Sequence, residues 1–596
     1  MKKNLYILFI LSVGILAACK KGNLDRFPQT SISPNLFFNT EEDLSLYVNG
    51  LLSQPDRNTY LNDQSSDNVT TTAAVEVKNV MGGNTSAQTI TGGWSWSRLR
   101  NINYFLESYK KASVTNEVKN HYAGLARYYR AEFYLDKVKR FSDVPWYSTS
   151  LTPTDEALYK GRDPRALVMD SVMADYEFAY KNVREKVAVG TPGKWAVATA
   201  YARAALYEGT YRKYHAELNL TASANVFLAN AAKVSNEIIV SKKFSIYNTG
   251  KPDQDYATLF ASQDLTGNNE VILTNIFDLS KNKSQNVNSV VFGDYEQAPA
   301  KDLIQSYLMK DGSRFTDQPN YAQLGFVEEF QNRDPRLKQT IAYPGWVRVP
   351  DATPYIQRLN KNFTGYHQLK GYVNSTDNAI LNGVDFPVYR YAEVLLTYAE
   401  ALAEMGTLTQ PQLDLSVNLL RKRAGLPDLN LAQANGSPDP VLKQQFDNVV
   451  SNIGVILEIR RERRIEFAFE NTRYDDLMRW KAGKLLTKSP EGMYFAGLGK
   501  YDLTGDGIED IILIDRTLTI PAEDKKEKNS LGVKLVYYRT GLIGTDATVY
   551  LKNGSTGGAI VTESVIRKFE EPKYYYRPIP QQQMILNPNL KQIFGW

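Results

Sequence analysis

A loop near the carboxyl-terminal end, residues 502–510, carries the residue pattern of a calcium site. Oxygen-bearing side chains stand at its first, third, fifth and ninth positions: Asp502, Thr504, Asp506 and Asp510. Calcium takes about six to eight oxygen ligands on a tightly turned backbone, which the glycine at the sixth position favours. The twelfth position is Leu513 rather than glutamate, so the loop is not an EF-hand. Two interpretations of this acidic loop stay open, a calcium site and an ordinary glycine-rich turn.

A second candidate for chemistry is the charged segment 458–470. Four arginines alternate there with glutamates that recur at every fourth residue: Glu458, Glu462, Glu466 and Glu470. Alternating signs argue against nucleic-acid binding, which needs basic residues concentrated on one face. Pairs at i,i+3 spacing, Glu458 with Arg461 and Arg463 with Glu466, are expected to relieve repulsion among the glutamates. We interpret the segment as a helix packed among its neighbours by ion pairs, with catalytic carboxylates as the alternative.

Searches for other catalytic motifs return nothing. The chain has no G-x-S-x-G, P-loop, H-E-x-x-H or dinucleotide-binding fingerprint. One cysteine excludes a disulfide framework, and three scattered histidines (His121, His215, His367) argue against a histidine-built metal site. The 70 lysines and arginines against 65 aspartates and glutamates are too even to indicate a nucleic-acid partner. We therefore predict a protein that is not an enzyme.

The amino terminus predicts export and lipid attachment. Lys2 and Lys3 precede the apolar run Leu5–Ala18, which is too short to span a bilayer core of ~30 Å and is typical of a signal peptide, residues 1–18. Small residues stand just before Cys19, the single cysteine, as in a bacterial lipobox. We predict that Cys19 carries acyl chains such as palmitate, each buried CH₂ contributing about 0.8 kcal/mol to anchoring. The alternative is a plain secretory signal with an incidental cysteine.

The elements that must position these residues are mostly helical. Tyr122, Leu125, Tyr129 and Phe133 fall on one apolar stripe at spacings of three and four residues, which predicts a helix. Further helices are predicted around Ala166–Asn182, around Trp195–Tyr214 and from Tyr389 onward. The second of these has small residues at every fourth position, which lets a neighbouring helix approach closely: Ala196, Ala200 and Ala204.

The remaining segments predict loops and a few strands. Thr40 and Asp43 are placed as the N-cap and third residue of a short helix. Residues 53–93 are rich in Ser, Thr, Asn and Gly and predict a loop. Short apolar runs at Glu270–Thr274 and Ile511–Ile514 predict strands. The sequence therefore predicts a mainly α fold with irregular insertions.

An ordered set of motifs resembles the SusD/RagB family of Bacteroidota outer-membrane lipoproteins, nearly from end to end. The motifs are the lipobox at Cys19 with residues 24–28, then residues 129–134, 138–146, 390–401, 421–427, 460–480, 576–580 and 587–590. The resemblance implies tetratricopeptide-like helical hairpins that support an irregular, loop-rich ligand-binding region. It also implies an N-terminal region at 19–220 and a C-terminal region at 221–596.

The resemblance implies a cell-surface nutrient-binding lipoprotein that delivers its ligand, an oligosaccharide, to a SusC-like TonB-dependent outer-membrane transporter. Surface-exposed members often carry an acidic pair soon after the lipidated cysteine, whereas Lys20 and Lys21 follow it here. The alternative from another class is a helical-repeat lipoprotein that binds peptides or scaffolds proteins. A glycosidase ranks last. Neither a nucleic-acid partner nor a cofactor is expected, apart from the calcium left open above.

The resemblance also places the ligand site. In starch-binding members, aromatic and amide residues from the matching neighbourhood contribute to the glycan site, which points to Trp94, Trp96 and Asn101. Because Trp94 and Trp96 stand two residues apart, at least one is expected to project from the loop toward solvent. Aromatic rings stack on sugar C–H faces and amides or carboxylates bond hydroxyls. Three further residues complete the candidate set for this reason: Asp67, Asn68 and Tyr295.

Overall fold

The structure is a computed structural model that describes residues 37–293, 297–375 and 382–596. The predicted signal peptide, Cys19 and Tyr295 lie outside these ranges. The helices run as follows in chain order: α1 Glu41–Gly50, α2 Glu76–Met81, α3 Ser97–Ser108, α4 Asn116–Phe141, α5 Arg165–Asn182, α6 Lys194–Tyr214, α7 Ala224–Ser241, α8 Asp255–Ala261, α9 Val287–Phe292, α10 Lys301–Ser306, α11 Phe326–Glu329, α12 Arg336–Thr340, α13 Tyr391–Met405, α14 Gln410–Asp414, α15 Val417–Arg423, α16 Leu431–Gly436, α17 Pro440–Gln445, α18 Ile453–Glu466, α19 Arg473–Arg479 and α20 Gln581–Leu586.

The strands are short and form small sheets between the helices. They are β1 Val69–Thr71, β2 Val271–Asn275, β3 Gln297–Pro299, β4 Phe386–Arg390, β5 Glu491–Phe495, β6 Gly499–Tyr501, β7 Ile511–Asp515, β8 Val536–Gly541, β9 Val549–Tyr550 and β10 Gly558–Val561. Strands β1 and β3, β2 and β4, and β5 and β10 form antiparallel pairs. The strand order β6-β7-β8-β9 makes the fourth sheet, in which the β7–β8 and β8–β9 pairs are parallel.

The helix predictions from apolar periodicity are confirmed. Helix α1 begins with the predicted capping box, in which Thr40 and Asp43 each bond the other's backbone N–H. Helix α4 ends at Phe141 ahead of Pro145, which has no N–H to donate to a continuing helix. The start of α13 is two residues later than predicted, because Tyr389 lies in β4.

Consecutive long helices pack side by side. The small residues of α6 are buried, and α7 approaches so closely that a Cβ on Gly209 would lie 2.9 Å from the side chain of Leu228. Helix α13 packs against both α7 and α18. Gly209 thus allows the close approach of α7, and the three predicted alanines are buried in the same core.

Segment 53–93 is more structured than predicted. It contains a 3₁₀-helix at Arg57–Ser65, strand β1 and helix α2, so the prediction of one continuous loop is wrong. The 3₁₀-helix consists mostly of polar residues and has no apolar stripe. Asp56 caps its first turn by accepting the N–H of Asn58 at 2.9 Å. Because local polar bonds stabilise this segment, its sequence has no periodic apolar residues from which the 3₁₀-helix could be predicted.

Two apolar cores hold the described chain together. One extends from Phe38 to Leu590 and contains the long helices. The second lies under the middle region and the small sheets, from Tyr60 to Ile560. Helices α6 and α7 share the first core, so the packing is continuous across residue 220. The proposed division into 19–220 and 221–596 stays a prediction.

The charged segment is a buried structural helix. Glu458 pairs with Arg461 as predicted. The predicted partner of Arg463 is wrong, because its guanidinium bonds Asp476, with both N–O distances at 3.0 Å. Asp476 is brought in by the neighbouring helix α19 rather than by the spacing within α18.

Glu466 is the centre of this network. It is fully buried and lies within 3.0 Å of three guanidiniums, those of Arg336, Arg390 and Arg423. Burial acts to raise the pKa of Glu466, but the charges of Arg423, Arg390 and Arg336 outweigh it and hold that pKa well below its usual range. The interpretation as a helix packed by ion pairs is confirmed.

Candidate functional site

A pocket of about 470 Å³ opens where the start of α3 meets the segment after α4 and the carboxyl-terminal end of the chain. We call it the aromatic pocket. Its lining consists mainly of aromatic and aliphatic side chains: Trp94, Trp96, Ser97, Leu99, Arg100, Asn103, Pro145, Tyr147, Thr149, Leu151, Leu158, Tyr159, Gln583, Leu586, Asn587 and Leu590. Concave, mostly apolar sites with a few polar groups are where small ligands bind.

The two tryptophans enter the pocket from the glycine-rich loop. Gly93 takes a φ of 90°, and a Cβ there would collide with the side chain of Arg140, so only glycine allows the chain to pass. Trp94 is only 7% exposed and meets Phe141 edge to face at 4.8 Å between ring centroids. Trp96 is half-buried. Both rings pack against α4, Trp94 on Phe141 and Trp96 on Phe133 at 5.6 Å, so the predicted projection of one indole toward solvent is limited to the exposed part of Trp96.

The buried side-chain amide of Asn103 positions the wall of the aromatic pocket that contains Tyr147 and Thr149. Nδ2 of Asn103 donates to the backbone carbonyls of Tyr147 and Thr149, at 3.0 and 2.9 Å. Its oxygen accepts from Arg130 at 3.2 Å, so the amide is fully used in positioning. Tyr134 accepts the N–H of Tyr147 at 2.6 Å, and burial raises the pKa of Tyr147 to about 12. Tyr147 is therefore a neutral, fixed ring at neutral pH.

The carboxyl-terminal end of the chain forms the third wall of the aromatic pocket. Nδ2 of Asn587 donates to the carbonyl of Leu158 at 3.3 Å, and that of Asn589 donates to the carbonyl of Tyr159 at 2.7 Å. These bonds tie the end of the chain to the segment that carries Tyr159. The Tyr159 side chain itself is 51% exposed at the rim. The ring of Tyr159 is therefore accessible at the rim, whereas the rings of Trp96 and Tyr147 are only partly exposed.

One charge lines the aromatic pocket. Arg100 stands on α3, and its Nε donates to the carbonyl of Leu151 at 3.2 Å. No aspartate or glutamate is among the lining residues in the described chain. The pocket can thus stack a ligand on aromatic rings and offer a cation at one side.

The structure brings Trp94 and Trp96 together but not Asn101. Successive residues of a helix point about 100° apart, so Asn101 turns away when Arg100 faces the pocket. The Asn101 side chain is exposed outside the lining, and its backbone carbonyl accepts a bond from Tyr47 at 3.1 Å. The residues that sequence reasoning missed are Arg100, Tyr147 and Tyr159. Tyr147 directly follows the Pro145-Trp146 helix stop, the one signal that pointed to it.

Asp67 and Asn68 are bound into the scaffold away from the aromatic pocket. Asp67 makes a bidentate pair with Arg473 at 2.7 and 2.8 Å, and Asn68 is fully buried between Asp63 and Arg464. Burial acts to raise the pKa of Asp67, but the charges of Arg464 and Arg473 hold it far below its usual range. Their side chains tie the segment to α18 and α19, so the geometry does not support ligand contact by either.

The acidic loop is closed by its own carboxylates. Asp502 accepts the N–H groups of Gly505 and Gly507 at 2.6 and 2.8 Å. Asp510 accepts two backbone N–H groups at 2.8 Å each, and Asp506 accepts one at 2.9 Å. In the described chain no three His, Cys, Asp or Glu side chains gather closely enough to hold a metal ion. The geometry agrees with an ordinary turn, and calcium binding with Thr504 as a ligand stays a prediction.

The described helices also bear on the relation to a membrane. None of those in residues 37–293, 297–375 and 382–596 combines the length and apolarity that a bilayer crossing requires.

Comparison with known proteins gives consistent matches. A model described as the SusD family matches residues 269–596. A SusD-like protein of Formosa agariphila is 25% identical over 511 residues, covering 80% of this chain and 91% of its own length. A second SusD-like protein of that organism is 22% identical over 506 residues, covering 81% and 91%.

Solved structures share the fold. A SusD-like protein of Bacteroides fragilis has a TM-score of 0.67 at 20% identity, covering 96% of this chain and 100% of its own. A SusD-like carbohydrate-binding protein of the same organism has a TM-score of 0.66 at 23% identity, covering 93% and 100%. A laminarin-binding SusD-like protein has a TM-score of 0.53 at 15% identity, covering 94% and 100%. The prediction of a mainly α, SusD-like fold is confirmed.

Proposed function

The chain belongs to the SusD family, and from that premise we propose that it is a non-catalytic protein that binds oligosaccharides in the aromatic pocket. The observation that carries the proposal is the arrangement of Trp96, Tyr147 and Tyr159 around one cavity of about 470 Å³. Flat rings at different angles can pack against the C–H faces of sugar units. One structural relative is described as carbohydrate-binding and another as laminarin-binding, which agrees with this class of ligand.

Two features support binding without turnover. Hydrolysis of glycosidic bonds ordinarily needs a pair of carboxyl groups that flank the bond. Within the described chain the lining of the aromatic pocket contains no carboxyl group. Glu462 and Glu466 of α18 are buried and bonded to Arg336 inside the scaffold.

A second candidate function is peptide binding. The specific observation in its favour is the aliphatic share of the pocket wall, to which Leu151, Leu158, Leu586 and Leu590 contribute. Leucines suit apolar side chains of a peptide as well as they suit a sugar face. We favour the oligosaccharide because Trp96, Tyr147 and Tyr159 bring three aromatic rings to the same cavity.

The cellular role extends the proposal. The lipobox-like residues before Cys19 and the family resemblance support a lipid anchor in the outer membrane, with the pocket facing the cell exterior. The bound oligosaccharide would pass to a SusC-like TonB-dependent transporter. An anchored binding protein beside a channel raises the local ligand concentration, as in any tethered two-site system.

One experiment separates the candidate functions. The soluble chain 20–596 is applied to a glycan array and a peptide array, and reducing ends are measured after incubation with every glycan that binds. We expect binding to a defined set of oligosaccharides with no new reducing ends. Peptide binding without glycan binding would contradict the proposal, and release of shorter sugars would show an enzyme.

A further inference from the structure

We propose that the aromatic pocket selects acidic oligosaccharides, in which a carboxylate or sulfate of one sugar is received by the Arg100 guanidinium. The inference rests on the proposed function, because it names the chemical class of glycan for the same pocket. Its starting point is that one cation and no carboxylate line the cavity in the described chain. A neutral ligand would leave that charge without a function in binding.

The Arg100 guanidinium is held in place but is not neutralised. Its Nε donates to the carbonyl of Leu151 at 3.2 Å, and it forms no ion pair with any described carboxylate. Two other arginines near this end of the molecule are paired at 2.6 Å, Arg130 with Asp175 and Arg140 with Glu76. The terminal N–H groups of Arg100, the one cation among the described lining residues, are therefore open to an incoming anion.

The surroundings of Arg100 strengthen such a contact. Planar guanidinium groups bind carboxylates and related oxyanions through two parallel hydrogen bonds, which are stronger than bonds between neutral groups. The neighbouring Leu99, Leu151 and Tyr147 form a largely apolar wall beside the group, while the exposed position of Arg100 leaves the pair open to water and salt. The same rings hold the sugar itself, so the anionic group is presented at a fixed distance from the stacking surface.

A structural role for Arg100 is the competing explanation. Its bond to Leu151 attaches the 145–159 segment to α3, and this bond uses only Nε. Arg98 offers a matched control, since it stands on the same helix, donates from Nη2 to the carbonyl of Leu51 at 3.3 Å and is not among the pocket lining. A variant of Arg98 therefore reports what loss of a helix α3 arginine does without affecting the pocket.

The test uses acidic oligosaccharides paired with their neutralised forms. Oligogalacturonides are compared with their methyl esters, and sulfated oligosaccharides with their desulfated parents, by isothermal titration calorimetry on wild type, Arg100→Gln, Arg100→Lys and Arg98→Gln. We expect the acidic form of at least one pair to bind about tenfold tighter than its neutral form, which corresponds to about 1.4 kcal/mol, because a charge-assisted bond is stronger than a neutral one. The preference should fall as salt rises, because screening weakens exposed charge pairs.

The variants test whether the preference for acidic oligosaccharides depends on Arg100. Arg100→Gln should abolish the preference for the acidic form over the neutral form, Arg100→Lys should keep part of it, and Arg98→Gln should keep all of it. Melting temperatures show whether each variant is folded. The pair that shows the Arg100-dependent preference identifies the anion as carboxylate or sulfate.

Three results would overturn the inference. Equal affinity for acidic and neutral forms would remove acidic selectivity and leave glycan binding intact. Binding of peptides through their free carboxylate, lost in Arg100→Gln, would assign the cation to a peptide site instead. Absence of any glycan binding, acidic or neutral, would remove the proposed function itself.

Discussion

The indole of Trp96 meets the ring of Tyr147 edge to face, with centroids 5.6 Å apart and planes at 84°. The two residues come from distant segments of the chain, Trp96 from the loop before α3 and Tyr147 from the segment after α4. Their perpendicular rings form a corner in the wall of the aromatic pocket. A pyranose that lies against one ring presents its edge to the other, which fixes its orientation as well as its position.

Trp94 is expected to stabilise the pocket rather than to bind ligand. It is 7% exposed and packs edge to face on Phe141 and on Trp96, at 4.8 and 5.4 Å. Removing a buried tryptophan leaves a cavity, so Trp94→Ala should lower the free energy of unfolding by about 3–5 kcal/mol. Chemical denaturation monitored by circular dichroism measures this loss. A change within error would contradict the packing described.

Glu466 is expected to carry much of the stability of the α18 network. Glu466→Gln leaves Arg336, Arg390 and Arg423 without that counter-charge, so we expect a loss of about 3–5 kcal/mol at pH 7. As its folded pKa is depressed, the stabilisation is present above the ordinary glutamate pKa and is lost as pH falls toward the folded value. Urea denaturation at pH 7 and pH 4 should show the difference between wild type and variant shrinking in acid.

The control for that measurement is Glu177→Gln, which removes an exposed partner of Lys181 on α5. It should change stability little at either pH, since solvent screens the pair. Equal effects of the two variants would contradict the central place of Glu466.

The acidic loop supplies a test for calcium. A calcium site requires that Asp506→Ala lower the melting temperature in calcium buffer and leave it unchanged in chelator, because a ligand that binds only the native state stabilises it by mass action. Differential scanning fluorimetry in the two buffers measures this. The same shift with and without chelator would make the loop an ordinary turn, as the N–H bonds to Asp502 and Asp510 favour.

Cys19 is expected to be the membrane attachment. Cys19→Ala removes the acylation site, and no described helix is able to cross a bilayer. The variant should therefore fold and appear in the soluble fraction, whereas wild type remains with membranes. Fractionation is carried out in cells that lack the partner transporter, since binding to it would retain the variant. A membrane-bound variant in such cells would show a second anchor.

Periodic local signals were enough to predict the long helices. Helix α4 follows from the stripe through Tyr122 and Phe133, and α1 from the Thr40–Asp43 capping box. The partners of Arg463 and Glu466 could not be predicted, because a helix's own spacing does not reveal which distant helices pack against it. The pattern at 458–470 showed that ion pairs would form, but not with which residues.

The site was predicted in part for the same reason. The family resemblance pointed to Trp94 and Trp96, and the structure brings both into the lining of the aromatic pocket. Tyr147 and Leu586 join them only through tertiary folding, from segments far away in the chain. Asn101 was chosen as the position that matches the family's site, whereas helix geometry gives the pocket position to its neighbour Arg100.

The most direct test of the account is the affinity of the Trp96→Ala variant for an oligosaccharide that the glycan array identifies. A stacked ring contributes about 1 kcal/mol or somewhat more, so calorimetry should show binding weakened about fivefold to tenfold. Trp195→Ala is the matched control, because Trp195 is also half-buried and packs against Phe244 at 6.5 Å, outside the aromatic pocket. The account predicts that only Trp96→Ala loses affinity. A folded Trp96→Ala protein that binds like wild type would contradict it.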